Sequence, residues 1–155
     1  MKNDLKPIAI LIAEDDEEDR MLVRDALVES RLANNIHFVE DGEQLLDYLY
    51  NRGNYQDKIL HPRPGLILLD LNMPKMDGRE ALKEIKKEED IRTIPIVVLT
   101  TSQAEEDILK TYDLGINSFI TKPVTFVALV DIMKTLKKYW FEIVELPRNV
   151  VKEHD

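Results

Sequence analysis

Leu66-Ile67-Leu68-Leu69 is a wholly apolar tetrapeptide that ends in a carboxylate, Asp70, with Pro74 and Gly78 following shortly after. A short apolar run bounded by turn residues has no polar face, so it predicts a strand covered on both sides, as in parallel sheets layered with helices. Asp70 then stands at the carboxyl end of that strand. Pro74 cannot donate a ladder hydrogen bond and Gly78 permits a close approach to the next helix, which makes 72–78 a loop over the strand end. In open α/β sheets this edge is where ligands bind. Taken alone, the stretch leaves two readings of Asp70, a functional carboxylate or a simple helix cap.

The same grammar recurs along the chain. Ile8-Ala9-Ile10-Leu11-Ile12-Ala13 is a second apolar run ending in acid, Glu14-Asp15-Asp16-Glu17-Glu18-Asp19. Leu22, Val23, Ala26 and Leu27 then recur at helical spacing over 21–30, and for residues 16–19 a solvated or capping role is the stronger reading. Ile36-His37-Phe38-Val39 alternates like a half-exposed strand in which His37 is an ordinary residue, and Glu40-Asp41-Gly42 turns into a helix carrying Leu45, Leu46 and Leu49. Residues 51–65, with Gly53, Pro62 and Pro64, form a long connection, either a binding loop or a plain surface excursion. Ala81, Leu82 and Ile85 mark a short amphipathic helix whose charged run over 83–90 is solvated.

Ile94-Pro95-Ile96-Val97-Val98-Leu99 predicts a fourth strand, with proline near its start where a strand tolerates it and the hydroxyl cluster Thr100-Thr101-Ser102 at its end. Residues 105–114 read as a helix stopped by Gly115, and Ser118-Phe119-Ile120-Thr121 as a short strand ending at Lys122-Pro123. Phe126, Leu129, Val130, Met133, Leu136 and Trp140 define a long last helix. Five strands each followed by a helix imply a doubly wound α/β domain, because parallel strands need right-handed helical crossovers.

Composition narrows the function. At 155 residues and 44% hydrophobic content the chain has room for one domain with a substantial core. A formal charge of −9 opposes the basic footprint of a nucleic-acid or anionic-membrane binder. The absence of cysteine excludes disulfides, thiolate metal sites and thiol nucleophiles. Nothing near Met1 resembles a signal peptide, and the expectation is a soluble cytoplasmic protein.

The predicted strand ends supply, in order, Glu14 and Asp15, Asp70, Thr100 and Lys122, all on one edge of the sheet. With strand order 2-1-3-4-5 the first and third strands are neighbours at the switch point, so three carboxylates converge. Their mutual repulsion would be relieved by a hard divalent ion that takes oxygen ligands and keeps several waters, which describes Mg²⁺. Thr100 offers a hydroxyl donor and Lys122 a compact positive charge, both suited to phosphoryl oxygens.

On these residues the chain, from Ile8 to about Trp140, resembles the receiver domain of two-component response regulators. The resemblance implies the flavodoxin-like receiver fold and a phosphoacceptor role for Asp70, loaded by a histidine kinase. It implies that Asp15 ligates Mg²⁺ directly, together with Asp70, that Glu14 does so through water, and that Asn72 adds its backbone carbonyl. Thr100 corresponds to the switch hydroxyl, Phe119 to the switch aromatic, and Lys122 to the phosphate-binding lysine, which in this family precedes proline through a cis bond. The long connection before the third strand, the phrase 69–75 with Asp77-Gly78-Arg79-Glu80, residues 98–102 and the apolar tail 140–147 resemble the small regulators paired with phytochrome-type kinases.

The expectation is therefore a stand-alone receiver over 1–147, with 148–155 as a flexible tail and no effector module. It would act as a phosphoacceptor signalling protein rather than an enzyme, limited to its own phosphorylation and dephosphorylation. Its output surface would be the fourth helix, fifth strand and fifth helix, extended by 140–147, which in related regulators forms a homodimer. Two rival classes stand beside it. A Mg²⁺-dependent phosphohydrolase of the haloacid dehalogenase class also uses an aspartate after an apolar strand, but it needs a second acid where Asn72 stands. A phosphorylation-independent binding module would tolerate losses from the acid, aspartate, threonine and lysine set, and none is missing.

Overall fold

In the computed structural model the described residues are 9–31, 35–101 and 104–138. The expectations for Ser102 and for the tail, including Trp140, 140–147 and 148–155, lie outside them. Five strands, β1 (Ile10–Ala13), β2 (Ile36–Val39), β3 (Leu66–Leu69), β4 (Ile96–Thr100) and β5 (Ser118–Thr121), alternate with α1 (Glu17–Glu29), α2 (Gly42–Leu49), α3 (Gly78–Lys87), α4 (Glu105–Asp113) and α5 (Phe126–Leu136). The strands form one sheet in the order β2-β1-β3-β4-β5, and every pair is parallel. This is the flavodoxin-like receiver architecture.

The period of two along a strand explains why β1 and β3 carry no polar residue. Leu11, Ala13, Ile67, Leu69, Ile96 and Val98 pack on one side with Leu45, Leu46 and Tyr48 of α2 and Ala81, Leu82 and Ile85 of α3. Ile10, Ile12, Leu66, Leu68, Val97 and Leu99 pack on the other with Val23, Ala26 and Leu27 of α1 and Leu129, Val130 and Met133 of α5. β2 lies at an edge: Val39 is buried, whereas Ile36, His37 and Phe38 are half-buried.

Several boundaries differ from the sequence expectation. α1 begins at Glu17 rather than at position 21, because Asp16 caps it by accepting from the Glu18 and Asp19 amides and so draws the acids into the first turn. β4 begins at Ile96, after Pro95; Pro95 has no amide hydrogen, and it joins the sheet as an acceptor, its carbonyl taking the Ile67 amide at 3.0 Å. Thr100 is thereby the last residue of β4, not the first beyond it. Gly115 does end α4, at φ +99°.

The connection 51–65 is an ordered excursion packed on α2. The Tyr48 hydroxyl donates to the Pro62 carbonyl at 2.9 Å, and the Asn51 side-chain Nδ2 donates to the carbonyls of Tyr55 and His61. Tyr48, Tyr55 and His61 pack ring against ring, with His37 tilted on Tyr48.

Candidate functional site at the carboxyl edge of the sheet

β1, β3 and β5 each continue their ladders one residue past the end of the strand, and this step places the site. Glu14 donates its amide to Val39 O at 2.9 Å, Asp70 donates to Ala13 O at 3.0 Å, and Lys122 donates to Thr100 O at 2.8 Å. Residues that begin the loops are thus held as firmly as strand residues.

Glu14, Asp15 and Asp70 each turn a carboxylate oxygen into one small volume, these atoms lying within 4.8 Å of one another. Glu14 and Asp70 are buried and Asp15 is exposed, so the cluster opens to solvent on one side. An all-oxygen set of this kind suits a hard divalent cation. Burial pushes the Glu14 carboxyl up to about 7, with the charge of Asp70 adding to the effect and the Lys122 hydrogen bond opposing it.

Asp70 is fixed by its neighbours. The Thr100 hydroxyl, fully buried, donates to Asp70 Oδ1 at 2.6 Å, and the Asn72 amide donates to the same oxygen at 3.3 Å. Lys122 Nζ lies 3.6 Å from Asp70 Oδ2. The ammonium also donates to Glu14 Oε1 and, at 2.9 Å, to Asp19 Oδ2. Burial works against its charge, but the hydrogen bonds it donates to Glu14 and Asp19 outweigh it and hold Lys122 protonated.

The structure brings together six of the seven site residues expected from sequence: Glu14, Asp15, Asp70, Asn72, Thr100 and Lys122. Phe119 lies apart, half-buried against the α2/α3 side of the core, with its amide donating to the Tyr112 hydroxyl at 3.1 Å. One implied feature is corrected: no described peptide bond is cis, so Lys122–Pro123 is trans. The trans isomer of an X–Pro bond is favoured by about 0.5–1 kcal/mol, and from it Lys122 reaches Glu14 and Asp19.

Two participants were not visible in the sequence reading. From sequence Asp19 reads as a helix-start acid, yet from the first turn of α1 its carboxylate reaches back to the sheet edge and accepts from Lys122 Nζ. Arg79 makes a two-pronged pair with Asp107, Nε to Oδ1 at 2.7 Å and an Nη to Oδ2 at 2.6 Å. It also reaches the Leu71 carbonyl and Asn72 Oδ1, each at 3.5 Å, so one guanidinium joins the loop after β3 to α4.

A family model for the response regulator receiver domain matches residues 10–134. The chain belongs to that family. It is 40% identical, over 91% of its length and 94% of the relative's, to response regulator Rcp1 of Synechocystis sp.. It superimposes on the phosphorylated cyanobacterial phytochrome response regulator RcpA with a TM-score of 0.85 at 40% identity, covering 92% of this chain and 100% of that one. The Mn(2+)-bound form of Rcp1 gives a TM-score of 0.83 at 40% identity, with the same coverage. No helix among the described residues is long and apolar enough to cross a membrane.

Proposed function

We propose that this protein is a phosphoacceptor response regulator that takes a phosphoryl group on Asp70 from a sensor histidine kinase of the phytochrome type, with Mg²⁺ bound beside it. One observation carries the reading: Asp70 presents a carboxylate whose Oδ1 is held by Thr100 and Asn72, while Oδ2 faces Lys122 next to the carboxylates of Glu14 and Asp15. The relatives described as phosphorylated and as Mn(2+)-bound support both halves of it.

In the proposed transfer an Asp70 oxygen attacks the phosphorus of a phosphohistidine. The P–O bond to Asp70 forms as the P–N bond breaks, and the imidazole nitrogen leaves with the electron pair. Asp15 and Asp70 would hold the metal directly, Glu14 through water and Asn72 through its backbone carbonyl. The bound ion supplies charge neutralisation for the equatorial oxygens. Lys122 takes one of those oxygens and Thr100 another, so the hydroxyl leaves Asp70 Oδ1 once the phosphoryl group is present. Phe119, one strand over from Thr100, follows that movement, and the surface of α4, β5 and α5 changes with it.

Intact-mass measurement after incubation with acetyl phosphate and Mg²⁺ is expected to show a single added phosphoryl group, and none when excess chelator is present. Equal labelling in chelator would reject the metal-dependent reading.

We also propose that the receiver domain spans 1–147, in a cytoplasmic protein. The α4–β5–α5 face, extended by 140–147, would form a symmetric homodimer. Leu109 and Tyr112 on α4 are exposed, apolar in body, and suited to such a contact. Sedimentation of the full chain and of a chain ending at Tyr139, each with and without acetyl phosphate and Mg²⁺, checks this. The expected result is a dimer that the truncation weakens by at least about tenfold, equivalent to 1.4 kcal/mol.

A further inference from the structure

Lys122 has three ammonium protons and three carboxylates around it. Asp70 is the most distant, at 3.6 Å, beyond hydrogen-bond reach, while Asp19 accepts at 2.9 Å. The side chain of Glu14 is 4% exposed and cannot turn to water; that of Asp19 is 35% exposed and can. Asp19 sits in the first turn of α1, so its backbone is held while its partly exposed carboxylate can swing between Lys122 and solvent.

We propose that Asp19 is a positioning residue for phosphoryl transfer: it holds the Lys122 ammonium off Asp70 and competes with a phosphoryl oxygen for the same proton donor. The inference rests on the reading of Asp70 as phosphoacceptor and Lys122 as its phosphate-binding partner. When a phosphoryl group arrives, Lys122 keeps Glu14 and gives up Asp19, whose carboxylate passes to solvent. Asp19 thereby sets how readily the site loads.

Removing the competing carboxylate with Asp19→Asn is expected to raise the rate of phosphorylation by subsaturating acetyl phosphate with Mg²⁺ roughly three- to tenfold, the scale of a partly exposed charge-assisted hydrogen bond. Asp19→Glu keeps the carboxylate and should return the rate toward wild type. Glu18→Gln removes the same unit charge one residue away, exposed and bonded through its backbone amide to Asp16, and reports the general effect of charge on an anionic donor. A second readout, proton exchange of the Lys122 ammonium group by NMR, needs no donor, and it should quicken in Asp19→Asn and stay as wild type in Glu18→Gln.

A rate in Asp19→Asn equal to or below wild type overturns the inference, as does an equal gain in Glu18→Gln. Unchanged ammonium exchange in Asp19→Asn overturns it as well. If wild type accepts no phosphoryl group on Asp70 at all, the parent reading has failed, and that result is distinct from each of these.

Discussion

Asp70→Asn is expected to accept no measurable phosphoryl group from acetyl phosphate or a phosphohistidine donor, a loss of at least ~10³-fold, because the amide cannot serve as the nucleophile. The same variant should be no less stable than wild type in the absence of divalent ions. Asp70 shares its corner with the carboxylates of Glu14, Asp15 and Asp19 around the ammonium of Lys122, and its charge helps push the Glu14 carboxyl up. An asparagine oxygen can still accept from the Thr100 hydroxyl, now 2.6 Å from Oδ1. Mg²⁺ should reverse the order of stability: at 100 times its dissociation constant a bound ion adds about 2.7 kcal/mol to the wild type. Thermal unfolding with and without Mg²⁺, beside intact-mass labelling, measures both parts. A variant that labels normally would remove Asp70 from the chemistry.

Gly78→Ala carries a large expected cost to stability. A Cβ there would stand 2.4 Å from the Asp70 carbonyl oxygen and 2.8 Å from the Leu71 Cα. Both are backbone atoms, and the Gly78 amide donates to the Leu71 carbonyl at 2.9 Å, so neither side can step away without shifting the end of β3. Overpacking of this kind costs about 1–3 kcal/mol, a fall in melting temperature of roughly 2–4 °C for each kcal/mol in a chain of this size. Because the displaced atoms include the carbonyl of Asp70 itself, phosphorylation should fall with stability. Gly53→Ala is the contrast. Its φ of +63° is unfavourable for alanine, but the new Cβ would find only a side-chain oxygen of Asp47 at 3.7 Å, far from the site. It should lose about 1 kcal/mol and label as wild type. Equal loss of labelling in both variants would show that general destabilisation is responsible.

How much of this was readable in advance depends on whether a residue answers to local pattern or to distant partners. β1 and β3 were plain because helices cover both faces and every position must be apolar. Asp70, Thr100 and Lys122 were legible as strand ends, and parallel topology does the rest by bringing all strand ends to one edge. The start of α1 was obscured because adjacent acids do different work, Asp16 as cap and Asp19 as partner of Lys122. That partnership joins residues 103 positions apart, and no local period reports it. The Arg79–Asp107 pair was hidden for the same reason, since each residue reads as surface charge on its own helix. The expected cis Lys122–Pro123 bond came from kinship alone, with no local sequence signal behind it.

The helices are not fastened to the sheet by the same kind of force. α3 buries Gly78, Ala81, Leu82 and Ile85, whereas the buried residues of α4 are Asp107 and Thr111. Apolar burial is not screened by dissolved ions, and an ion pair is. α4 is therefore the element whose seating answers to the surrounding electrolyte, and its Arg79 tether begins two residues' reach from the carboxylate that a dianionic phosphoryl group would modify. A charge delivered at Asp70 and a change of salt in the medium would thus act on the same fastening, one from inside the protein and one from outside.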